Sequence, residues 1–172
     1  YKLVKAIHPS IEINEEVISL LNSVKKVLSW HDLLFLEELY MKWAVYFLVL
    51  VRHCDDKTSD EICTRFELSP RHKTIVCKER FMADKSLLAL ERTRSVKDSF
   101  LYKQLYGFRS ELILYMMAVT KQKRIKKSIS RYFTKLRYVT ASITGKELIK
   151  MGLKPGPIYR EILDAVLYAK LD

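Results

Sequence analysis

Residues 144–163 read TGKELIKMGLKPGPIYREIL. Three of the chain's four glycines and two of its four prolines fall in this stretch, between two short segments of helical apolar spacing. Thr144 and Glu147 have the spacing of a capping box. Leu148, Ile149 and Met151 give the first helix its apolar side. Gly152 stands where a helix ends in a left-handed residue, and Leu153 follows to make the hydrophobic contact. Pro155 stops that helix. Gly156 and Pro157 open the next, which Ile158, Ile162, Leu163 and Val166 carry forward. The bend is expected to join two helices and to aim the free amides of the second, beside Lys154 and Arg160, at a phosphate.

Working outward, nearly every other segment also predicts helix. Asn14 is placed to cap EEVISLLNSVKKVL, with Glu15 and Glu16 suiting the helix dipole. One long apolar helix is expected over 32–52, interrupted by Glu37, Glu38 and Lys42, and a short one from Thr58 or Ser59 to Phe66. Ser69 and Pro70 open a helix through Ile75, Val76 and Phe81, and Leu87, Leu88 and Leu90 continue that helix or a neighbour. Further helices are expected from Ser95 to near Gly107, over 110–120 and over 121–140. There is no strand–helix alternation and no fixed repeat. The fold class is all-α: a helical body over 1–92, then a smaller basic tail over 93–172 with a helix-hairpin-helix-like end.

The 172 residues, 49% of them hydrophobic, suffice for a real core. The net charge of +11 is segregated. Residues 101–150 hold 12 basic and 2 acidic groups, whereas 1–50 hold 5 and 6. So local a field points to a polyanionic partner. Its centre is KQKRIKKSISRYFTKLRYVT, residues 121–140. There Ile125, Ile129, Phe133 and Leu136 make one apolar stripe. On an ideal helix Arg124, Lys127, Arg131, Lys135 and Tyr138 fall opposite, a ladder of cations about 5.4 Å apart. Tyr132 and Tyr138 add faces on which bases can stack. A plain solvated basic face is the competing reading. A membrane-surface helix fits less well, because the apolar stripe is needed for packing.

Catalytic patterns are lacking. Neither glycine-rich phosphate loop occurs, nor does Gly-x-Ser-x-Gly. His31-Asp32 is a lone pair without further ligands. Asp55, Asp56 and Asp60 read as a solvated linker. His53, Cys54, Cys63, His72 and Cys77 have no zinc spacing. The odd set Cys54, Cys63 and Cys77 is no disulfide framework and suits buried thiols in a reducing cytoplasm. The longest apolar run, Trp43 to Val51, falls far short of the roughly 18–20 residues that span a bilayer. A chain opening on Tyr1 is expected to be a fragment of a longer protein.

The hairpin resembles the C-terminal part of bacterial tRNA nucleotidyltransferases and their sister poly(A) polymerases. The resemblance rests on Thr144-Gly145-Lys146-Glu147-Leu148, on Gly152-Leu153-Lys154-Pro155-Gly156-Pro157 and on Ala169-Lys170-Leu171-Asp172. Ile7, His8 and Pro9 match a turn of the family's body region, and DLLFLEELYMKWAVYFLVLV its long buried helix. The family's catalytic head, with a Gly-Ser pair and an Asp-x-Asp metal motif, is not in this sequence. The resemblance therefore implies a non-catalytic, RNA-binding body and tail that grips tRNA or another structured RNA by shape and phosphates. It further implies that magnesium and ATP or CTP belong to the head alone. The expected contacts are Arg124, Lys127, Arg131, Lys135, Tyr138, Lys146, Lys154, Gly156 and Arg160. No membrane and no obligate protein partner is expected. Two alternatives stay open: a helix-hairpin-helix module for DNA, and a helical scaffold for proteins.

Overall fold

The computed structural model describes residues 8, 9 and 11–172. Of the Ile-His-Pro turn, Ile7 lies outside the described residues, while Ile11 N–H donates to His8 O at 3.1 Å. Among the described residues every regular element is helical. In chain order they are α1 (Glu15–Asp32), α2 (Lys42–Leu50), α3 (Asp56–Arg65) and α4 (Pro70–Thr74). A π turn (Ile75–Glu79) leads into α5 (Arg80–Arg92), followed by α6 (Asp98–Leu105), α7 (Ser110–Val119) and α8 (Lys123–Thr134). A 3-10 turn (Leu136–Tyr138), α9 (Gly145–Lys150) and α10 (Ile158–Leu171) complete the fold.

The centre is α7, SELILYMMAV, apolar all round and buried at every position. It packs on α1, α2, α5 and α8. Its few polar atoms are matched. Glu111 Oε1 accepts from Met41 N–H at 2.8 Å, and Tyr115 OH donates to Asp84 Oδ1 at 2.8 Å. Burial and the Asp84 charge hold the Tyr115 phenol well above its usual range. The expected boundary after residue 92 falls between α5 and α6. Across it α7 touches α1, α2 and α5, and one apolar cluster runs from Leu20 to Leu171.

The helix expected over 32–52 is a loop followed by one helix, α2. Asn14 caps α1 through its side chain, which accepts from Val17 N–H at 2.9 Å. The helix stops at Asp32, and residues 33–41 form a loop with Phe35 at φ +49°. The apolar residues that suggested a core helix, Leu33, Phe35 and Leu39, are 70%, 86% and 98% exposed. Polar bonds set the break. Asp32 accepts from Tyr40 OH and Lys42 Nζ, and Arg137 pairs with Glu38. The acids at 55–60 are structural rather than linker: Asp55 caps α3, and Asp60 pairs with Lys73 at 2.6 Å.

Two arginines fasten helix ends. Arg80 is fully buried at the π turn. It donates to Arg52 O at 2.8 Å and Cys54 O at 3.0 Å, just beyond α2, and to Ser59 Oγ at 3.2 Å. The π turn widens the helix by one residue, and Arg80 Nε donates into it, to Val76 O at 3.2 Å. Arg124 does the same for α5. Its two terminal nitrogens donate to Glu91 O and Thr93 O, both at 2.6 Å. Orphan carbonyls at a helix C-terminus are natural partners for a cation.

Candidate nucleic-acid interface

Helix α8 is built as the periodicity requires. Ile125, Ile129 and Phe133 are buried and lean on α6 and α7. Leu136 extends the stripe, but not on the same helix. Lys135 leaves the helical region at φ −135°, ψ −60°, and the 3-10 turn then returns Leu136 to the core. The ladder is therefore shorter than expected: Lys135 and Tyr138 lie beyond α8. Tyr132 is corrected as well. It is 6% exposed against Tyr102, too buried to stack a base, and burial pushes its phenol up to about 12. Tyr138 is exposed, with the Arg137 guanidinium 5.6 Å from its ring.

The four expected cations divide in two. Arg124 is occupied at the end of α5, and Arg131 pairs with Asp98 in the first turn of α6. Lys127 and Lys135 are exposed, and their side chains make no ion pair or hydrogen bond among the described residues. The same holds for Lys121 and Lys123, which lie off the face opposite the stripe. Their position was the available signal. The first turn of α8 has no acid and begins Lys123-Arg124. Cations at a helix N-terminus oppose the macrodipole, so this end is strongly electropositive and its repulsion falls when an anion binds.

The capping of the hairpin follows its sequence, but Ile149, Met151 and Ile158, expected on its apolar side, are exposed and only Leu148 of the first helix is buried. Glu147 Oε2 accepts from Thr144 N–H at 2.7 Å. Gly152 takes φ +83°, Leu153 N–H donates to Leu148 O at 3.1 Å and Gly152 N–H to Ile149 O at 2.9 Å, which is the Schellman pattern. Tyr159 OH donates to Leu153 O at 2.7 Å and closes the bend. Two amides at the start of α10 are already used: Tyr159 N–H by Gly156 O at 3.0 Å and Arg160 N–H by Pro157 O at 3.1 Å. Lys146, Lys154 and Gly156 are exposed, and Arg160 stands 3.9 Å from Asp164. A Cβ on Gly156 would meet only Lys154 O, at 3.9 Å. Helix α10 packs on α6, which also carries α8, and Lys170 Nζ donates to Thr140 O at 2.9 Å. One helix thus supports both candidate contact regions.

Among the described residues no three His, Cys, Asp or Glu side chains are placed to hold a metal ion. His31 is packed between the rings of Tyr40 and Phe133, and Asp32 is used by Tyr40 and Lys42. No helix of the described residues is long and apolar enough to cross a membrane.

No family model matches the chain. It is 36% identical, over 99% of its length, to an A-adding tRNA nucleotidyltransferase of Geobacter sulfurreducens. It is 26% identical, over 90% of its length, to the A-adding tRNA nucleotidyltransferase of Aquifex aeolicus. It spans 20% and 18% of those two relatives, about a fifth of their length. Among solved structures, it is similar to the Thermotoga maritima CCA-adding enzyme complexed with tRNA. The TM-score is 0.81 at 22% identity, covering 99% of this chain and 41% of that one. A tRNA-processing enzyme complex gives 0.80 at 19% identity, covering 100% and 44%. These structural likenesses concern the fold.

Proposed function

We propose, from a match to the tRNA nucleotidyltransferase family along almost its whole length, that this chain is the family's non-catalytic RNA-binding body and tail. It grips the backbone of tRNA or a similarly structured RNA and holds the 3′ end toward a separate catalytic head. The observation that carries this reading is the set of exposed, unpaired lysines Lys121, Lys123, Lys127 and Lys135 along and around α8, in the third of the chain with the highest net charge. Lys146, Lys154 and Arg160, with the bend at Gly156, supply a second group of contacts on the hairpin. Point charges on flexible stems neutralise phosphates without reading bases, which suits A-form RNA. Nucleotidyl transfer, with its metal ions and nucleotides, belongs to the head.

Competition tests the reading. A tRNA transcript should displace a labelled tRNA at lower concentration than duplex DNA of equal charge. Equal displacement would indicate a sequence-independent DNA binder. The chain alone, given magnesium, ATP or CTP and tRNA lacking its 3′ end, should extend nothing; metal-dependent incorporation by the pure chain would place catalysis here.

A further inference from the structure

A groove of about 430 Å³ lies between α5 and the end of α6, lined by Glu79, Met82, Ser86, Lys103, Tyr106 and Phe108 among others. We infer that it takes one unpaired nucleobase of the bound RNA, stacked on Tyr106. The inference rests on the RNA-binding reading above and adds a base subsite to its phosphate contacts.

Tyr106 is the main observation. The residue is 63% exposed although it sits just past the end of a packed helix. The ring already stacks on Tyr102, centroids 5.1 Å apart and planes at 16°. A base laid on its open side would extend an existing stack on a platform that is fixed in advance. The turn is fixed too: Tyr106 N–H donates to Tyr102 O at 2.7 Å, and Gly107 follows at φ +91°, a conformation that favours glycine. The groove is tied through α6 to α8 and α10. Tyr102 lies 6.0 Å from Tyr132 of α8, and Lys103 stands over Tyr168 of α10 at 5.7 Å. Across the groove Met82 is exposed and supplies an apolar wall. Ser86 and Gln104 bring hydroxyl and amide groups for a base edge, and Arg109, 3.4 Å from Glu79, offsets the one carboxylate in the lining. Stacking of this kind tolerates any base and contributes without salt dependence of its own.

The test compares wild type, Tyr106→Ala, Tyr106→Phe and Met82→Glu for binding to a tRNA transcript and to a fully paired RNA duplex. Tyr106→Ala should weaken transcript binding about ten-fold, leaving duplex affinity and the salt slope unchanged. Tyr106→Phe should stay within about two-fold of wild type, since it keeps the π face. Met82→Glu, on the opposite wall, should reproduce the loss without touching the Tyr102–Tyr106 stack. If Tyr106→Ala and Met82→Glu both bind the transcript like wild type, the subsite is overturned and the groove is better suited to a peptide. If wild type binds neither RNA, the RNA-binding reading itself fails and the subsite with it.

Discussion

Arg124 and Lys127 lie one helical turn apart, carry the same charge and do different work. The guanidinium of Arg124 satisfies two carbonyls at the end of α5; the ammonium of Lys127 meets no partner. Arg124→Ala should therefore lower the thermal midpoint. Lys127→Ala should leave the midpoint alone and weaken RNA binding, and a reversal of that pattern would exchange the two roles. Arg80 is the extreme case. With no exposure and three partners outside its own helix, its loss strands buried carbonyls, and Arg80→Met should cost about 3 kcal/mol in urea unfolding. His31 makes stability depend on pH. Burial among Trp30, Tyr40 and Phe133 lowers its pKa below the ordinary 6.5, against the opposing pull of Asp32 and Glu38. The folded state prefers the neutral ring, so this contribution is whole above the unfolded value near 6.5 and is lost as pH falls below it. His31→Phe should flatten the midpoint between pH 7 and pH 5, to an extent about equal to the lost His31 contribution.

The two glycines of the hairpin separate capping from binding. Gly152 is left-handed, so Gly152→Ala should cost about 1 kcal/mol of stability. Gly156 has open space around it, and Gly156→Ala should leave the fold intact. Any loss of RNA affinity in Gly156→Ala then reports a phosphate approaching the backbone there; unchanged affinity assigns the grip to α8 alone. This hairpin was legible in the sequence because capping chemistry is local: Thr144, Glu147, Gly152 and Pro157 act within a few residues of one another. The helix over 32–52 was misread because apolar content does not distinguish a buried helix from an exposed loop. What breaks it, the bonds from Glu38 to Arg137 and from Met41 to Glu111, comes from residues far along the chain. The same distance hid the partners of Arg124 and Arg131: both stand on the exposed face that periodicity gives them, but each is tied there to another helix.

Over the whole molecule, the buried α7 fixes the walls and α6 links them to the basic end. The positive surface is thereby mounted on a packed frame, with α8 and α10 both resting on α6. A rigid frame suits recognition by shape, because the backbone that carries the cations needs no ordering when a partner arrives. Binding of RNA phosphates by the exposed lysines on this frame is what the proposed function requires. It is tested most directly by the affinity for a tRNA transcript over a range of salt concentrations, in wild type and in Lys127→Ala. Wild type should give log K falling linearly with log salt, and Lys127→Ala should reduce the slope by about one phosphate contact while keeping wild-type stability. An affinity independent of salt, or a slope unmoved by the substitution, would contradict the account.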